Sequence, residues 1–438
     1  MRRRRVGQLW LTVAGLALGA LAFVWRRLMF RTTFVAITGS LGKTTTTRIA
    51  VPILSSSLAV NSTRGSNNSR VGLARAVLRT RYRHRVTVLE VGTKRPGALR
   101  RAAWQLRPDV VVILSVARTH TNYYPTLDHT AAEKVTLMSR LGKDGIAILN
   151  GDDPRVLAMA VRSPGSVRTF GRSPQFDVWA SDVSSRWPEG LSFTVHAGGR
   201  SLPVRTKLVG EHWITAALAA LSLALCCGIG LPEAISVLEQ AETYPGRMQP
   251  LLLPRGAVMI RDDFNASVDS LAAALKVLRE AQACRRILVT GDVEDSGKDV
   301  AVRFADLGRA AVEAADLAIF FGEHGELAAR AAVAAGMDAE RARSFPTQRE
   351  AGEFLSEVLA KGDLVLLRSC DRDNGSHPVC DHPERIYYAQ FGTVNCQRVD
   401  CRDDISCDTC SLLRPGLQRT GEVPEAQRPR WEPLRKGG

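Results

Sequence analysis

One stretch, Ile37-Thr38-Gly39-Ser40-Leu41-Gly42-Lys43-Thr44-Thr45, constrains this chain more than any other. It follows the β-branched, apolar run Thr33-Phe34-Val35-Ala36-Ile37, which reads as a buried strand, and it opens a helical pattern. Gly39 and Gly42 let the backbone curl so that its N–H groups face an anion. Lys43 then reaches the outer phosphates, and the Thr44 hydroxyl is placed to ligate Mg²⁺. The positive end of the helix dipole adds to the same site. Strand, glycine turn, Lys-Thr and helix in this order predict a nucleoside triphosphate site. An ordinary strand-to-helix turn is the plain alternative.

The 438 residues suffice for two compact domains with extensions. The formal charge of +15 has local components in Met1-Arg2-Arg3-Arg4-Arg5, in Arg26-Arg27 and in the arginine-rich run from Arg79 to Arg85. Such patches favour phosphates, of nucleic acid or of an anionic membrane surface. The sequence has no aromatic-interleaved basic groove and no nucleic-acid motif, so no nucleic-acid partner is expected. Leu9 to Trp25 is apolar and uncharged, flanked by arginines, and slightly short of the ~20 residues that span a bilayer. It predicts a single N-terminal transmembrane helix. A cleaved signal peptide is the competing reading, disfavoured because the strand feeding the phosphate loop starts only a few residues later. A nucleotide site needs cytoplasmic ATP, so the expected location is the cell inner membrane, single-pass, with the catalytic domains cytoplasmic. A second apolar run, Ile214 to Leu231, holds Thr215, Ser222 and several alanines and ends at Gly-Leu-Pro; it reads as a buried core helix.

From Thr33 onward, short β-rich runs alternate with helical stretches. Val86–Glu90, Val110–Leu114 and Ile146–Leu149 read as buried strands of a parallel sheet whose ligand site lies at the carboxyl ends of the strands. Phe176–Ala180, Leu191–Val195 and Leu202–Val204 suggest appended antiparallel strands. A boundary is expected near Tyr244-Pro245-Gly246-Arg247. Beyond it Ala257–Ile260, Arg286–Thr290, Leu317–Phe321 and Leu364–Leu367 predict a second, Rossmann-like α/β domain. The expected domains are therefore residues 1–32 (basic N-terminus and anchor), 33–245 (ATP-binding), 246–370 (second α/β domain) and 371–438 (Cys-rich tail).

The phosphate loop has a T-G-x-x-G-K-T-T form and resembles that of the Mur ligase family, whose members join a carboxylate to an amine using ATP. The resemblance runs from about Ile37 to Leu367 and is closest to the branch that adds a dipeptide to the cell-wall precursor. Asn67-Asn68 looks like the family's asparagine-rich substrate loop. Val88-Leu89-Glu90-Val91-Gly92 resembles the strand-end E-x-G that supplies a magnesium ligand. His120 sits where the family keeps a metal-binding histidine, and Lys134 where several members carry a carbamylated lysine. Asn150-Gly151-Asp152-Asp153-Pro154 is similar to its N-x-D-D-P turn. Gly246-Arg247 and Asp262-Asp263-Phe264-Asn265-Ala266 look like the elements by which its last domain contacts ATP. The resemblance implies that Thr38, Gly39, Gly42, Lys43, Thr44, Thr45, Asn150, Arg247, Asp262 and Asn265 bind nucleotide. It implies that Thr44, Glu90, His120 and Lys134 hold magnesium, two ions in all, with Lys43, His120 and Lys134 as catalytic groups. The chemistry asks for such residues: a free carboxylate is a poor acyl donor, and phosphoryl transfer converts it to an acyl phosphate that an amine can attack. The concentrated phosphate charge must be held and neutralised. Singly, Glu90, His120, Lys134, Arg247, Asp262 and Asn265 also have plain readings as surface, strand-end or core residues.

The sequence departs from the family in several places. The family's N-terminal domain for the uridine diphosphate part of the precursor is not recognisable, and the apolar segment in its place looks like that of the membrane-tethered poly-γ-glutamate synthetases. Trp213 and Ala216 stand where the dipeptide-adding branch has asparagines near the adenine, and Trp213 is a candidate to stack on the base. Arg368-Ser369-Cys370 replaces a K-G-S element. In the tail, Cys396, Cys401, Cys407 and Cys410 suggest a structural zinc knuckle, with disulfides or free thiols as alternatives. The expected function is a membrane-anchored, ATP- and Mg²⁺-dependent carboxylate–amine ligase acting on an amino-acid polymer such as poly-γ-glutamate. Its substrates would be small amino acids or peptides, with multi-span membrane proteins as partners. Alternatives are a cell-wall-precursor ligase adding a D-alanyl-D-alanine-like dipeptide, a non-ligating ATPase serving an export complex, and a scaffold with a vestigial site.

Overall fold

The computed structural model describes residues 15, 17–63, 68–92, 95–118, 123–264, 268–291, 299–369 and 383–391. The chain divides into two compact units, one running up to Ser184 and over Leu191–Glu242, the other comprising Ser185–Gly190 and the residues from Thr243 on.

Unit 1 begins with helix α1 (residues 17–28). Then come β1 (Thr33–Thr38), α2 (Lys43–Ser55), β2 (Val60–Ser62), α3 (Arg70–Arg79), β3 (Val86–Glu90), α4 (Ala98–Leu106), β4 (Val110–Ile113), α5 (Leu127–Val135), β5 (Ile146–Asn150), α6 (Pro154–Leu157) and β6 (Ser166–Gly171). After them follow β7 (Val178–Ser185), β8 (Leu191–Ala197), β9 (Arg200–Arg205), α7 (Ile214–Cys226) and α8 (Leu231–Leu238). Their strands form one sheet in the order β2-β3-β1-β4-β5-β6-β7-β8-β9. The strands from β2 to β7 run parallel, whereas β8 and β9 pair antiparallel. Strands β1, β3 and β4 are buried almost throughout, as near-continuous Val/Ile/Leu runs in a parallel sheet covered on both faces should be. Helix α7 is core, as its alanine-rich composition predicts.

The transmembrane expectation is overturned. Among the described residues no helix is long and apolar enough to cross a membrane. Most of residues 1–16 lie outside the described set, but α1 is docked on unit 1 by side chains a lipid-facing helix would not commit. Ala22 and Met29 join the core that holds Phe34 and Ala36. Trp25 Nε1 donates to the Thr80 carbonyl at 2.9 Å. Arg26, buried, donates from Nε to Leu106 O (2.7 Å) and from Nη2 to Arg107 O (2.8 Å) and Asp109 Oδ2 (2.9 Å), and its guanidinium lies 4.1 Å from the Phe34 ring centroid. It closes the carbonyl end of α4, where backbone acceptors have no partner within the helix. The expected single-pass tether and inner-membrane location therefore lose their basis.

Unit 2 contains β10 (Gln249–Leu252), β11 (Val258–Asp262), α9 (Val268–Glu280), β12 (Arg285–Thr290), α10 (Val300–Ala314), β13 (Leu317–Phe321), α11 (Gly325–Ala334), β14 (Ala342–Phe345), α12 (Gln348–Val358), β15 (Asp363–Arg368) and α13 (Glu384–Ala389). Its sheet runs β10-β11-β15-β12-β13-β14, with β10 antiparallel and the others parallel. The core packs Met259, Ile287, Val289, Ile319 and Val365 against Ala351 and Leu355 of α12. Both units are thus α/β with a parallel sheet.

Candidate active site

In unit 1 the phosphate loop leaves the carboxyl end of β1, between β3 and β4 in the sheet. Gly42 precedes α2 at φ 82°, a left-handed conformation that a side chain would strain. A Cβ on Gly39 would lie 2.8 Å from Leu114 Cβ and 3.0 Å from Leu41 O, so only glycine lets the loop pass the end of β4. The segment after β4 is bolted to the loop. Ser40 N–H donates to Ser115 O (3.0 Å), Leu41 N–H to Ser115 Oγ (3.0 Å) and Ala117 N–H to Ser40 Oγ (2.9 Å). Lys43 folds back over the loop, its Nζ donating to Gly39 O (2.6 Å) and Ser40 O (3.2 Å). Thr44 and Thr45 begin α2 and are buried, and the buried Thr38 hydroxyl has no partner among the described residues.

Glu90 ends β3, which lies beside β1 with Ile37 and Glu90 in register. Its backbone therefore emerges about 4.8 Å from the strand that feeds the phosphate loop. The residue is 1% exposed. Oε1 accepts from Asn68 Nδ2 at 2.9 Å, while Oε2 is buried and has no hydrogen-bond partner among the described residues. A buried carboxylate oxygen left open beside a phosphate cradle fits a hard divalent cation, whose coordination takes such oxygens together with a hydroxyl like that of Thr44.

Lys134, near the end of α5, is 2% exposed. Burial pushes its ammonium well below the ordinary lysine range, and the charge of Lys43 pushes the same way, against Glu133 and Asp153. Asn150 uses its amide locally: Nδ2 donates to Leu114 O (2.8 Å) and Oδ1 accepts from Asp152 N–H (3.1 Å). It ties the ends of β4 and β5 together. Trp213 is 7% exposed and leaves little ring face for a base.

In unit 2, Asp262 ends β11 and Arg368 ends β15, in register with it. Arg368 is fully buried, donates to Asp262 and gives a second hydrogen bond to Ser270 Oγ at 2.6 Å. Burial raises the Asp262 carboxyl above its usual range, while Arg368 first and Arg247 second oppose that shift. The Arg247 guanidinium sits 4.7 Å over the Phe264 ring. The arginine that replaces the expected lysine is thus committed to Asp262. His120, Asn265, Cys396, Cys401, Cys407 and Cys410 lie outside the described residues. Among the described residues no His/Cys/Asp/Glu group could hold a metal by itself, and a zinc site is not shown.

Two residues that hold this site, Asp153 and Glu133, have no role of their own in the sequence reading. Asp153 caps α6 through Arg155 N–H and Val156 N–H, and its Oδ2 accepts Val116 N–H at 2.7 Å. The Asp-Pro pair at a helix start carried that signal. Glu133 accepts from Gly97 N–H (2.8 Å) and Leu99 N–H (2.9 Å) at the head of α4, a contact that local sequence does not announce.

Profiles of known families match most of the chain: the Mur ligase middle domain over residues 37–224 and the Mur ligase glutamate ligase domain over residues 246–370. The chain is 32% identical to the UDP-N-acetylmuramoyl-tripeptide–D-alanyl-D-alanine ligase of Mycobacterium tuberculosis, over 64% of this chain and 56% of that protein. It is 30% identical to the enzyme of the same name from Escherichia coli, over 68% of this chain and 65% of that one. The chain thus spans little more than half the length of the first of these. A crystal structure of MurF from Acinetobacter baumannii superposes with a TM-score of 0.76 at 26% identity, covering 86% of this chain and 81% of that one. MurF from Thermotoga maritima, in complex with ADP, gives a TM-score of 0.70 at 22% identity over 81% and 80% of the two chains, a likeness of fold. These findings overturn the expectation of a membrane-anchored, poly-γ-glutamate-type ligase. The relatives are ligases of a UDP-N-acetylmuramoyl-tripeptide and D-alanyl-D-alanine by name, and the described part of the helix that suggested a tether packs in unit 1.

Proposed function

This chain belongs to the Mur ligase family, and on that premise we propose that it joins a peptide carboxylate to an amine by ATP-driven activation, with a D-alanyl-D-alanine-like dipeptide as the incoming amine. The observation that carries the reading is the phosphate loop with Lys43 at the carboxyl end of β1 and, on the adjacent β3, the buried Glu90 with one open oxygen. Lys43, the loop N–H groups and the start of α2 hold the triphosphate. Glu90 and Thr44 would hold Mg²⁺, which when bound neutralises the phosphate oxygens. Lys134, pushed toward its neutral form, is the form of amine that adds carbon dioxide; a carbamate there would present oxygens instead of a positive charge beside Lys43. His120, Arg247, Asp262 and Asn265 are proposed to take part on the strength of their motifs, as is Asn150 through the strand ends it fixes.

The test is phosphate release by the purified full chain with ATP, Mg²⁺, UDP-N-acetylmuramoyl-tripeptide and D-alanyl-D-alanine, with L-glutamate as a control amine. Release should require both substrates of the first pair and yield the amide product. Lys43→Ala should lower it by at least ~10³-fold with the circular dichroism spectrum unchanged. Release that needs no amine would replace the ligase reading with a plain ATPase.

A further inference from the structure

We infer that Asn68 is a positioning residue that aims the Glu90 carboxylate at the metal, and that Gly92 is required to give Asn68 room to do so. The inference rests on the reading of Glu90 as a magnesium ligand. Thr63 and Asn68 are both fastened to the same residue: Glu90 N–H donates to Thr63 Oγ1 at 3.3 Å, and Asn68 Nδ2 donates to Glu90 Oε1 at 2.9 Å. The neighbouring Ser69 caps α3 by accepting Gly72 N–H at 3.1 Å, so the backbone that carries Asn68 has a fixed origin. One carboxylate oxygen is thereby occupied and the other is left bare in a buried setting. A carboxylate with one oxygen pinned keeps a single orientation, and outer partners of this kind govern how well a ligand is presented to a metal.

The residue type matters. An amide donates a hydrogen bond without adding charge, so Glu90 keeps the full negative charge that a cation needs. A lysine or arginine here would neutralise it, and an aspartate would repel it. The fit is tight on the far side as well. A Cβ on Gly92 would lie 2.7 Å from Asn68 Cγ, 2.8 Å from Nδ2 and 2.9 Å from Oδ1, closer than real contacts allow. Alanine at 92 must therefore displace the Asn68 amide, and all three of its nearest neighbours belong to that amide, so shortening Asn68 removes them.

That steric relation gives the inference a non-additive signature. Mn²⁺ binding to the full chain in the presence of a non-hydrolysable ATP analogue is followed by the electron paramagnetic resonance of free Mn²⁺, and analogue binding without metal is followed separately. Asn68→Ala and Gly92→Ala should each weaken Mn²⁺ binding roughly 10-fold or more. The double variant should be no weaker than Asn68→Ala alone, and metal-free analogue binding and the melting temperature should hold. Unchanged Mn²⁺ binding in Asn68→Ala overturns the inference while Glu90→Gln still weakens it. Additive losses in the double variant overturn the steric link. If Glu90→Gln itself leaves Mn²⁺ binding unchanged, the underlying reading of Glu90 fails instead.

Discussion

Replacing Arg26 by alanine tests whether α1 belongs to the fold of unit 1. The side chain makes three short hydrogen bonds, to Leu106 O, Arg107 O and Asp109 Oδ2, and lies 4.1 Å from the Phe34 centroid. Bonds from a charged donor contribute ~1.5–3 kcal/mol each, and a cation over an aromatic face adds about 1 kcal/mol. The simple sum overstates the loss. Asp109 is half exposed and keeps the Phe34 N–H (2.8 Å), so its charge is not stranded, and the two carbonyls at the end of α4 can be rehydrated. A net cost of about 3 kcal/mol follows, which for a domain of this size class lowers the melting temperature by roughly 6–12 °C. Urea unfolding followed by far-ultraviolet circular dichroism, with thermal melts in parallel, measures it. Arg26→Met should recover part of the loss through its aliphatic stem. A melting temperature within ~1 °C of the parent for Arg26→Ala would refute the docking of α1, because a helix detached from unit 1 has no stake in its stability.

Further outcomes follow from the buried charges. Lys134 has a depressed folded pKa, so between that value and the ordinary ~10.4 of the unfolded chain the unfolded state holds the extra proton. Stability should therefore rise with pH through that window in carbon-dioxide-free buffer, and Lys134→Met should raise the melting temperature near neutrality and flatten the rise, while abolishing ligation. Arg368→Ala leaves Asp262 buried without its main partner and should cost about 3–5 kcal/mol at neutral pH. The Asp262 carboxyl is already raised by burial, and a raised acid loses stability as pH climbs through its folded value. The defect of Arg368→Ala should accordingly shrink as pH falls toward 4, by urea unfolding at several pH values. A pH-independent defect would refute the pairing.

The strands that were legible in the sequence are those buried on both faces. Thr33–Ile37, Val86–Glu90 and Leu317–Phe321 hardly differ from what their unbroken apolar runs announce. The strands that escaped notice, Val60–Ser62, Gln249–Leu252 and Ala342–Phe345, are at sheet edges, where one side needs no apolar cover. Ser166–Gly171 hid behind polar residues at alternate positions. The apolar segment before the phosphate loop misled for a related reason: hydropathy does not distinguish a face meant for lipid from one meant for a protein core. Arg26 reads as a flanking charge until Asp109 and the end of α4 are placed beside it. The family resemblance singled out Lys43, Glu90 and Lys134, and the structure puts Lys43 at the start of α2, Glu90 at the end of β3 and Lys134 near the end of α5. Arg368 meets Asp262 only through sheet register, far along the chain, and Asn68 reaches Glu90 from the segment just before α3.

The resting place of Lys43 has a thermodynamic consequence. Its ammonium already has two carbonyl acceptors in its own loop, so an arriving triphosphate does not meet a bare cation but must exchange one set of contacts for another. Measured nucleotide affinity will report the difference between those two sets, with the lysine's intrinsic attraction for phosphate largely offset.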